Sequence, residues 1–517
     1  MDTPLSIDGS SLTIKDVVDV ARNGRLVTLA PAARERMLKS YAWVQQACLQ
    51  DQPVYGVNTG FGSLARVKID PANSSKLSLN LIRSHAAGVG PLLPVPEVRA
   101  MMLLRANALA KGASGCRPVL VDTLVEMLAA EITPLVPCQG SCGSSGDLAP
   151  LAHLGLVLAE GDHGRVCLQG EEMTASEGMA RVGIERLQME AKDGLAITNG
   201  AQLTTAIGAL AMYDAAHLVE AAELAAAMSI EALRGASRAF VAGVHALRPY
   251  PGAIATAGNL RALLAGSALI DSMPEKLQDA YSLRCTPQVL GACRDAIHYA
   301  QSQVAIELNA ATDNPLILLD EPGENKAFSA GMFHGEPVGI PMDVLKIAVS
   351  EVANLSERRL YRLTTGSLSQ RLPPALATKD RPELGMMVPQ TTAAALVSEN
   401  KALGWPASMD SIPTCEDQED HVAMSTTAAR RAARVLDNAR LVIAIELQGA
   451  VRALEFRQTE TEDVVLGVGT AVGLSRAAAV LHGLPDGATP SEEIEALNSW
   501  IRSGGHLGAV EGLEGLS

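Results

Sequence analysis

Four long stretches after residue 200 repeat apolar side chains every three or four positions, the period of a helix buried along one side. They cover residues 202–233, 286–311, 341–365 and 426–456. Only 3% of the chain is aromatic, so the core is built from Ala, Leu, Val and Met, which favours closely packed helices over a sheet sandwich. The predicted fold class is therefore all-α, with a long antiparallel helical bundle.

The first 200 residues show a different pattern, with shorter helices between glycine-rich loops. Apolar periodicity predicts helices over 97–111 and 118–131, while glycines cluster at 56–62 and 139–146. A β-hairpin is predicted at 166–173. These features indicate a smaller, loop-rich helical domain at the N-terminus.

The sequence accordingly predicts three parts. Residues 1–200 form the N-terminal domain, and residues 201–503 form the central helical bundle domain, with a second hairpin around the turn at 321–325. The glycine-rich residues 504–517 form a flexible tail.

The charge distribution excludes several classes of partner. The formal net charge is −15, spread along the chain without a basic cluster, so nucleic-acid binding is not expected. The most apolar long stretch carries carboxylates at positions 214, 220 and 223, which is too much charge for a membrane span. The first residues lack a basic region followed by an apolar one, so secretion is not expected. A cytoplasmic location is predicted.

Neither the cysteines nor the histidines form a recognisable metal motif. The eight cysteines show no C-x-x-C pair, so reduced thiols are expected. The acidic run at 416–421 is interpreted as a solvated turn, because calcium loops need regularly spaced ligands and a glycine that this run lacks. No metal site is predicted.

Residues 140–153 read Gly-Ser-Cys-Gly-Ser-Ser-Gly-Asp-Leu-Ala-Pro-Leu-Ala-His, and they place two serines and a glycine where the backbone can become electrophilic. In a compressed turn the Gly146 nitrogen can attack the Ser144 carbonyl, and loss of two waters gives a 4-methylidene-imidazol-5-one ring, MIO. Glycine has no Cβ to obstruct the attack, and Ser145 supplies the hydroxyl that leaves. Taken alone, the run also fits a loop that opens a helix with Asp147 as its N-cap.

Three more segments of the sequence carry motifs. They are Tyr-Gly-Val-Asn-Thr-Gly-Phe-Gly at 55–62, the pair Asn199-Gly200, and Gln-Asp-Ala-Tyr-Ser-Leu-Arg-Cys at 278–285. Together the four motifs resemble those of the aromatic amino acid ammonia-lyases and aminomutases. The resemblance implies an MIO group formed from Ser144, Ser145 and Gly146. It also implies a homotetramer in which each active site combines residues of several protomers.

The resemblance implies roles for other side chains. Tyr55 is the catalytic base, and Asn199 contacts the MIO ring and the substrate amine. Tyr281 and Gln278 complete the site, and Arg284, whose guanidinium suits a carboxylate, holds the acid group of the substrate. Without the resemblance, Tyr55 also fits a loop anchor, and the three residues at 278, 281 and 284 fit a solvated helical stripe.

Two positions indicate the substrate. The pair Ser84-His85 matches family members that act on histidine, and Glu419 matches the carboxylate that holds an imidazole N–H. Phe333, which also fits a plain core aromatic, flanks the substrate ring by resemblance. A phenyl ring would leave the polar groups unpaired, at a cost of about 1–3 kcal/mol each. The expected reaction is therefore elimination of ammonia from L-histidine to give trans-urocanate.

Several residues depart from the family pattern, and they keep alternatives open. They are Cys142, Met332, Trp405 and the pair Glu416-Asp417. The extra acid favours a more cationic substrate, so an ergothionase-like lyase that eliminates trimethylamine from ergothioneine without MIO is the first alternative. The second is a helical scaffold without enzymatic activity, in which the Ser-Ser-Gly segment never cyclises.

Overall fold

Helices dominate the computed structural model, which describes residues 3–50, 53–54, 56–59, 74–377, 384–460 and 464–507. The α-helices are α1 (Ile14–Asn23), α2 (Pro31–Cys48), α3 (Ser74–His85), α4 (Val95–Ala110), α5 (Val119–Ala129), α6 (Leu148–Leu158), α7 (Ala175–Arg181), α8 (Asp193–Thr198), α9 (Gln202–Ala232), α10 (Ala242–Ala246), α11 (Pro251–Leu263), α12 (Tyr281–Arg284), α13 (Thr286–Glu307), α14 (Glu336–Thr364), α15 (Met387–Leu403), α16 (Ser425–Glu460), α17 (Val468–His482) and α18 (Pro490–Arg502). The predicted all-α class is confirmed.

In the described residues the strands are short and form four small sheets. They are β1 (Leu5–Ile7), β2 (Val27–Leu29), β3 (Val89–Leu92), β4 (Thr133–Pro134), β5 (Pro137–Gln139), β6 (Arg165–Leu168), β7 (Glu171–Thr174), β8 (Leu316–Ile317) and β9 (Ala327–Phe328). Strands β1 and β2 are parallel, whereas β3 pairs with β5, β6 with β4 and β7, and β8 with β9, all antiparallel. Both predicted hairpins are present. The first turns at Gln169 and Gly170, whose positive φ angles suit a two-residue hairpin turn.

The four predicted long helices correspond to α9, α13, α14 and α16, with shifts at their ends. Helix α14 begins at Glu336, so Pro341 lies inside it and not at its start. Helix α13 stops at Glu307, before the predicted end. There the Asn309 side chain donates to the Leu12 carbonyl and accepts from the Leu12 N–H, each at 2.9 Å. These long-range hydrogen bonds are made by a polar side chain, and the spacing of apolar residues gives no information about them.

The chain divides into two compact units, each assembled from three segments. The first contains Met1–Tyr213, Gln301–Asp343 and Pro406–Arg430, and the second contains Asp214–Ala300, Val344–Trp405 and Arg431–Ser517. This division differs from the contiguous boundary near residue 200, because two later segments of the chain pack with the N-terminal part.

The core of the first unit is built around α4. Thirteen of its residues, Val98 to Ala110, are buried, and α4 contacts both α1 and α5. The buried Arg99 donates to the Leu128 carbonyl at 3.2 Å and to the Val20 carbonyl at 3.0 Å. Carbonyls near the ends of the two neighbouring helices thus satisfy a guanidinium that would otherwise be costly to bury.

Buried ion pairs join the long helices of the second unit. Arg359 of α14 contacts Glu446 of α16 through two hydrogen bonds of 2.5 and 2.7 Å, and neither side chain is exposed. Arg294 of α13 pairs in the same two-pronged way with Glu223 of α9, both bonds being 2.8 Å. Removing one partner of such a pair leaves a buried charge uncompensated and costs about 3–5 kcal/mol.

The structure describes only the first part of the predicted C-terminal tail. Residues 504–507 belong to the predicted tail, yet His506 is buried, and residues 508–517 lie outside the described residues. All eight cysteines are free thiols. In the described parts of the chain, no helix combines the length and the apolar composition that crossing a membrane would require.

Candidate active site

A cavity of about 750 Å³ lies in the first unit. It collects six of the predicted site residues from five separate parts of the sequence: His85, Ser144, Ser145, Asn199, Phe333 and Glu419. Sequence positions more than 300 residues apart therefore face one space, as a site built on the family motifs requires.

Close backbone contacts hold the Ser-Ser-Gly segment at the cavity wall. Gly143 and Gly146 adopt left-handed conformations, with φ angles of 70° and 71°. A Cβ on Gly146 would lie 2.3 Å from the carbonyl carbon of Gly200, so only glycine fits there. The Asp147 N–H donates to the Gly200 carbonyl at 2.7 Å. The segment is therefore a compressed turn fixed against the residue that follows Asn199.

The Asp147 side chain ties this turn to two helices. It occupies the N-cap position of α6 but makes no capping hydrogen bond. Its buried carboxylate accepts instead from the Thr204 N–H at 2.8 Å, from the Thr426 hydroxyl at 2.5 Å and from the Ser141 hydroxyl at 2.8 Å. Burial raises the pKa of Asp147, and these hydrogen bonds oppose that shift. The helix-opening interpretation of the motif was right about position but wrong about the role of this carboxylate.

Glu419 faces the two serines across the cavity wall. Its carboxylate accepts from the Ser144 hydroxyl at 2.8 Å, from the Ser145 hydroxyl and from the Thr414 hydroxyl at 2.6 Å. Burial alone would raise the pKa of Glu419, but the donated hydrogen bonds outweigh it, and the pKa lies below its ordinary value. Glu419 is consequently an ionised acceptor at neutral pH.

A strained turn carries Glu419 into the cavity. Thr414 and Glu419 pair as an antiparallel bridge, with backbone hydrogen bonds of 3.0 and 3.3 Å. Between them Cys415, Glu416 and Asp417 all have positive φ angles, of 51°, 55° and 62°. Such a run of left-handed residues without glycine is costly, and strain of this kind clusters at functional sites.

His85 presents a hydrogen-bond acceptor to the cavity. Its Nδ1 lies 2.8 Å from the Leu81 carbonyl oxygen, which can only accept, so Nδ1 carries the proton in the neutral ring. Nε2 is then left with a lone pair. Ser84 does not line the cavity; its hydroxyl lies 3.1 Å from His85 Nδ1 and 3.0 Å from the same carbonyl. The Ser84 hydroxyl therefore supports the His85 ring without lining the cavity itself.

A buried ion pair orients Asn199. The Asn199 amide nitrogen donates to Asp313 Oδ1 at 3.2 Å and to the Asn314 carbonyl at 3.3 Å. The second Asp313 oxygen accepts from Lys192 Nζ at 2.9 Å, and both charged side chains are almost fully buried. The side-chain nitrogen makes both of these bonds, so the side-chain oxygen, Asn199 Oδ1, faces the cavity as an acceptor for a ligand.

The Lys192–Asp313 pair gives a first prediction. Asp313→Leu is expected to destabilise the protein by about 3–5 kcal/mol, because Lys192 keeps a buried charge without its partner. The double variant Lys192→Met/Asp313→Leu is expected to recover most of the melting temperature, yet to lose turnover roughly 10- to 100-fold, because Asn199 is no longer held. Circular dichroism on heating and steady-state kinetics measure the two effects. Equal destabilisation in single and double variants would contradict the ion-pair role.

The remaining predicted residues lie elsewhere. Gln278, Tyr281 and Arg284 belong to the second unit, and only the last two are in α12, so the three do not share one helix. Tyr281 is 72% exposed, with the Arg284 guanidinium 4.8 Å from its ring centroid. Tyr55 lies outside the described residues.

Two cavity histidines were not singled out from the sequence. His334 and His421 both line the cavity, with their ring centroids 5.7 Å apart. His334 directly follows Phe333, and His421 is the last residue of the acidic run. Their position beside these motifs was the signal that the sequence offered. Among the residues that depart from the family pattern, Met332, Glu416 and Asp417 are exposed and do not line the cavity.

Solved structures with the same fold define the class of protein. Histidine ammonia-lyase from Trypanosoma cruzi matches with a TM-score of 0.89 and 36% identity, covering 98% of this chain and 95% of that one. Tyrosine aminomutase from Streptomyces globisporus matches at 0.91 and 34%, covering 98% of each chain. Ergothionase from Treponema denticola matches at 0.88 and 30%, covering 98% of this chain and all of the other. The fold is that of a helical lyase or aminomutase.

Sequence comparison narrows the class to a family. The model of the aromatic amino acid lyases matches residues 12–478, so the chain belongs to this family and is a carbon–nitrogen lyase. Histidine ammonia-lyase from Caldanaerobacter subterraneus is 49% identical over 453 residues, which are 87% of this chain and 88% of the relative. Histidine ammonia-lyase from Gloeobacter violaceus is 46% identical over 509 residues, 98% and 97% of the two chains.

Proposed function

We propose that this enzyme eliminates ammonia from L-histidine to give trans-urocanate. The pairing of His85 with Glu419 at one cavity carries the proposal. Both present acceptors: a neutral imidazole donates its single N–H to one of them and a protonated imidazole donates to both, whereas a phenyl ring donates to neither. The relatives named histidine ammonia-lyase, 46–49% identical over most of the chain, support the same substrate. Appearance of urocanate absorbance when the purified enzyme meets L-histidine tests the proposal directly.

The Ser144-Ser145-Gly146 segment fits the formation of MIO. The left-handed Gly146 is pressed against the Gly200 backbone, and Ser145 stands at the cavity wall with its hydroxyl directed to Glu419. An amide held in a compressed turn has already lost much of the entropy that cyclisation requires. MIO would supply the electrophile that makes the substrate nitrogen a better leaving group.

Other residues of the chain position the substrate and move its proton. In the proposed mechanism Glu419 and His85 hold the imidazole, Phe333 flanks it, and Asn199 Oδ1 accepts from the substrate amine. Tyr55 removes the β-proton. The lowered pKa of Glu419 keeps its carboxylate ionised, so it accepts a hydrogen bond and does not protonate the substrate.

We also propose a homotetramer with shared active sites. Gln278, Tyr281 and Arg284 complete the proposed site, with Arg284 holding the substrate carboxylate. Tyr281 and Leu277, which are 72% and 99% exposed, present apolar area of the kind that a second copy of the chain would cover. A monomeric variant should then lack activity. The cytoplasmic location stays a prediction from the sequence.

Tyr55→Phe is expected to lower kcat by about 100-fold or more while substrate binding persists, because it deletes a proton-transfer group and keeps the ring. Stopped-flow turnover and substrate protection against thermal unfolding measure the two quantities. Near-normal kcat with a raised KM would show that Tyr55 only anchors its loop.

The ergothioneine alternative loses its main support in this structure. It relied on Glu416 or Asp417 to offset the fixed charge of a trimethylammonium group, and both side chains point to solvent outside the cavity lining. Parallel assays with L-histidine and ergothioneine, reading ammonia and trimethylamine release, separate the two substrates. Trimethylamine release without urocanate formation would reverse the assignment.

A further inference from the structure

The second unit contains a cluster of side chains that commonly bind metal ions. His217 and Glu220 stand three positions apart on α9, so they share one face, and His217 Nδ1 lies 3.2 Å from Glu220 Oε2. His506 follows α18 and places Nε2 3.9 Å from the same oxygen. Ligand atoms of the three residues all lie within 4.8 Å of one another. Among the described residues, no other group of three or more His, Cys, Asp or Glu side chains is this close.

His506 has unused bonding capacity. Its side chain is 1% exposed, and neither ring nitrogen has a hydrogen-bond partner in the part of the chain that the structure describes. Buried polar groups almost always have such a partner, and an imidazole carries at least one donor or one lone pair on each nitrogen. The rings of Trp500 and His217 meet it in edge contacts, at centroid distances of 6.3 and 6.1 Å. The free capacity of Nε2 is directed to Glu220.

We infer that His217, Glu220 and His506 bind one divalent transition-metal ion of the zinc class. Two imidazole nitrogens and a carboxylate oxygen suit zinc, which takes four tetrahedral ligands at about 2.0–2.2 Å, with water as the fourth. Tetrahedral ligand atoms then stand about 3.3 Å apart, so the 3.9 Å pair needs to close by roughly 0.6 Å, and the two histidine nitrogens, within 4.8 Å, by up to roughly 1.5 Å. Calcium and magnesium prefer six or more oxygen ligands, which this cluster lacks.

The metal would connect two distant parts of the sequence. His217 and Glu220 lie on α9, whereas His506 lies near the C-terminus, so the bound ion fastens the segment after α18 to α9. An ion that binds the folded state and not the unfolded one raises the melting temperature with its concentration. The site is made only of second-unit residues and uses none of the proposed catalytic residues. Its test is therefore independent of the proposed function.

Zinc binding by the full-length enzyme tests the inference. After dialysis against a chelator, the protein is titrated with zinc chloride by calorimetry, and its melting temperature is followed with and without zinc. The parent is expected to bind one zinc ion per chain and to melt at a higher temperature with zinc. His506→Gln should weaken binding at least about tenfold and remove the shift. His482→Gln, which changes an exposed histidine of α17, should behave as the parent.

Each outcome of the zinc titration either supports or overturns the metal site. Absence of zinc binding by the parent, or equal affinity in His506→Gln, would overturn the site. If circular dichroism shows that His506→Gln folds poorly, His217→Gln serves instead, because the His217 side chain is 25% exposed. A melting temperature that responds to pH but not to zinc would indicate a protonated His506 paired with Glu220, and that outcome also overturns the metal site.

Discussion

Ser145→Ala is expected to abolish ammonia release from histidine, on the order of 10³-fold or more, and to leave the fold intact. The hydroxyl that must leave during cyclisation is gone, and groups that act as one catalytic unit fail together. The described contact of the Ser145 side chain is a single hydrogen bond to Glu419, so little stability is lost. Urocanate absorbance measures turnover, and intact mass measures cyclisation, because a cyclised chain is lighter by two waters.

The matched control for Ser145 is Ser329→Ala. Ser329 also lines the cavity but lies outside the Ser-Ser-Gly segment, so its variant should keep both the reduced mass and most of the turnover. Unchanged turnover in Ser145→Ala would remove MIO from the mechanism and favour a lyase that needs no such electrophile. A parent chain at its full unmodified mass would have the same meaning.

Glu419→Gln is expected to lower kcat/KM for histidine much more than for phenylalanine. A hydrogen bond to a charged group contributes about 1.5–3 kcal/mol, which corresponds to about 10- to 150-fold in kcat/KM. Only an imidazole substrate uses that charge. The measured quantity is the ratio of the two kcat/KM values in the parent and the variant.

Glu416→Gln is the control for Glu419→Gln. The two glutamates stand three positions apart in the same turn, but Glu416 is exposed and does not line the cavity, so its loss should leave the ratio unchanged. An equal fall for both substrates in Glu419→Gln would assign Glu419 to the shared chemistry. A change in the ratio caused by Glu416→Gln would show that the acidic run acts through its overall charge.

Periodicity and turn chemistry predicted most of the secondary structure, because both are local. The four long helices, the two shorter helices of the first 200 residues and both hairpins follow from spacing of three to four residues or from glycine-containing turns. The end of α13 was not predictable in this way. It depends on Asn309 bonding to Leu12, a residue almost 300 positions earlier.

The candidate site shows the same limit. Motifs identified Ser145, Asn199 and Glu419 by their residue types, but no motif pointed to Lys192 or Asp313, which hold Asn199. Asp147 is the N-cap of α6 as predicted, but the missing capping hydrogen bond has the same origin. Its local position favours capping, whereas its partners Thr204 and Thr426 are brought to it by the packing of two helices.

The sequence by itself determined the helical class, the family and the residue types that line the cavity, because these depend on spacing and on short motifs within one segment. Only the tertiary structure decided how the acidic run is arranged, with Glu419 and Asp420 lining the cavity and Glu416 and Asp417 outside it. The run offers several acids, and the left-handed turn at Cys415–Asp417 turns Glu416 and Asp417 to solvent while Glu419 meets the two serines. Backbone direction and long-range hydrogen bonds produce that arrangement, and neither can be read from local residue order.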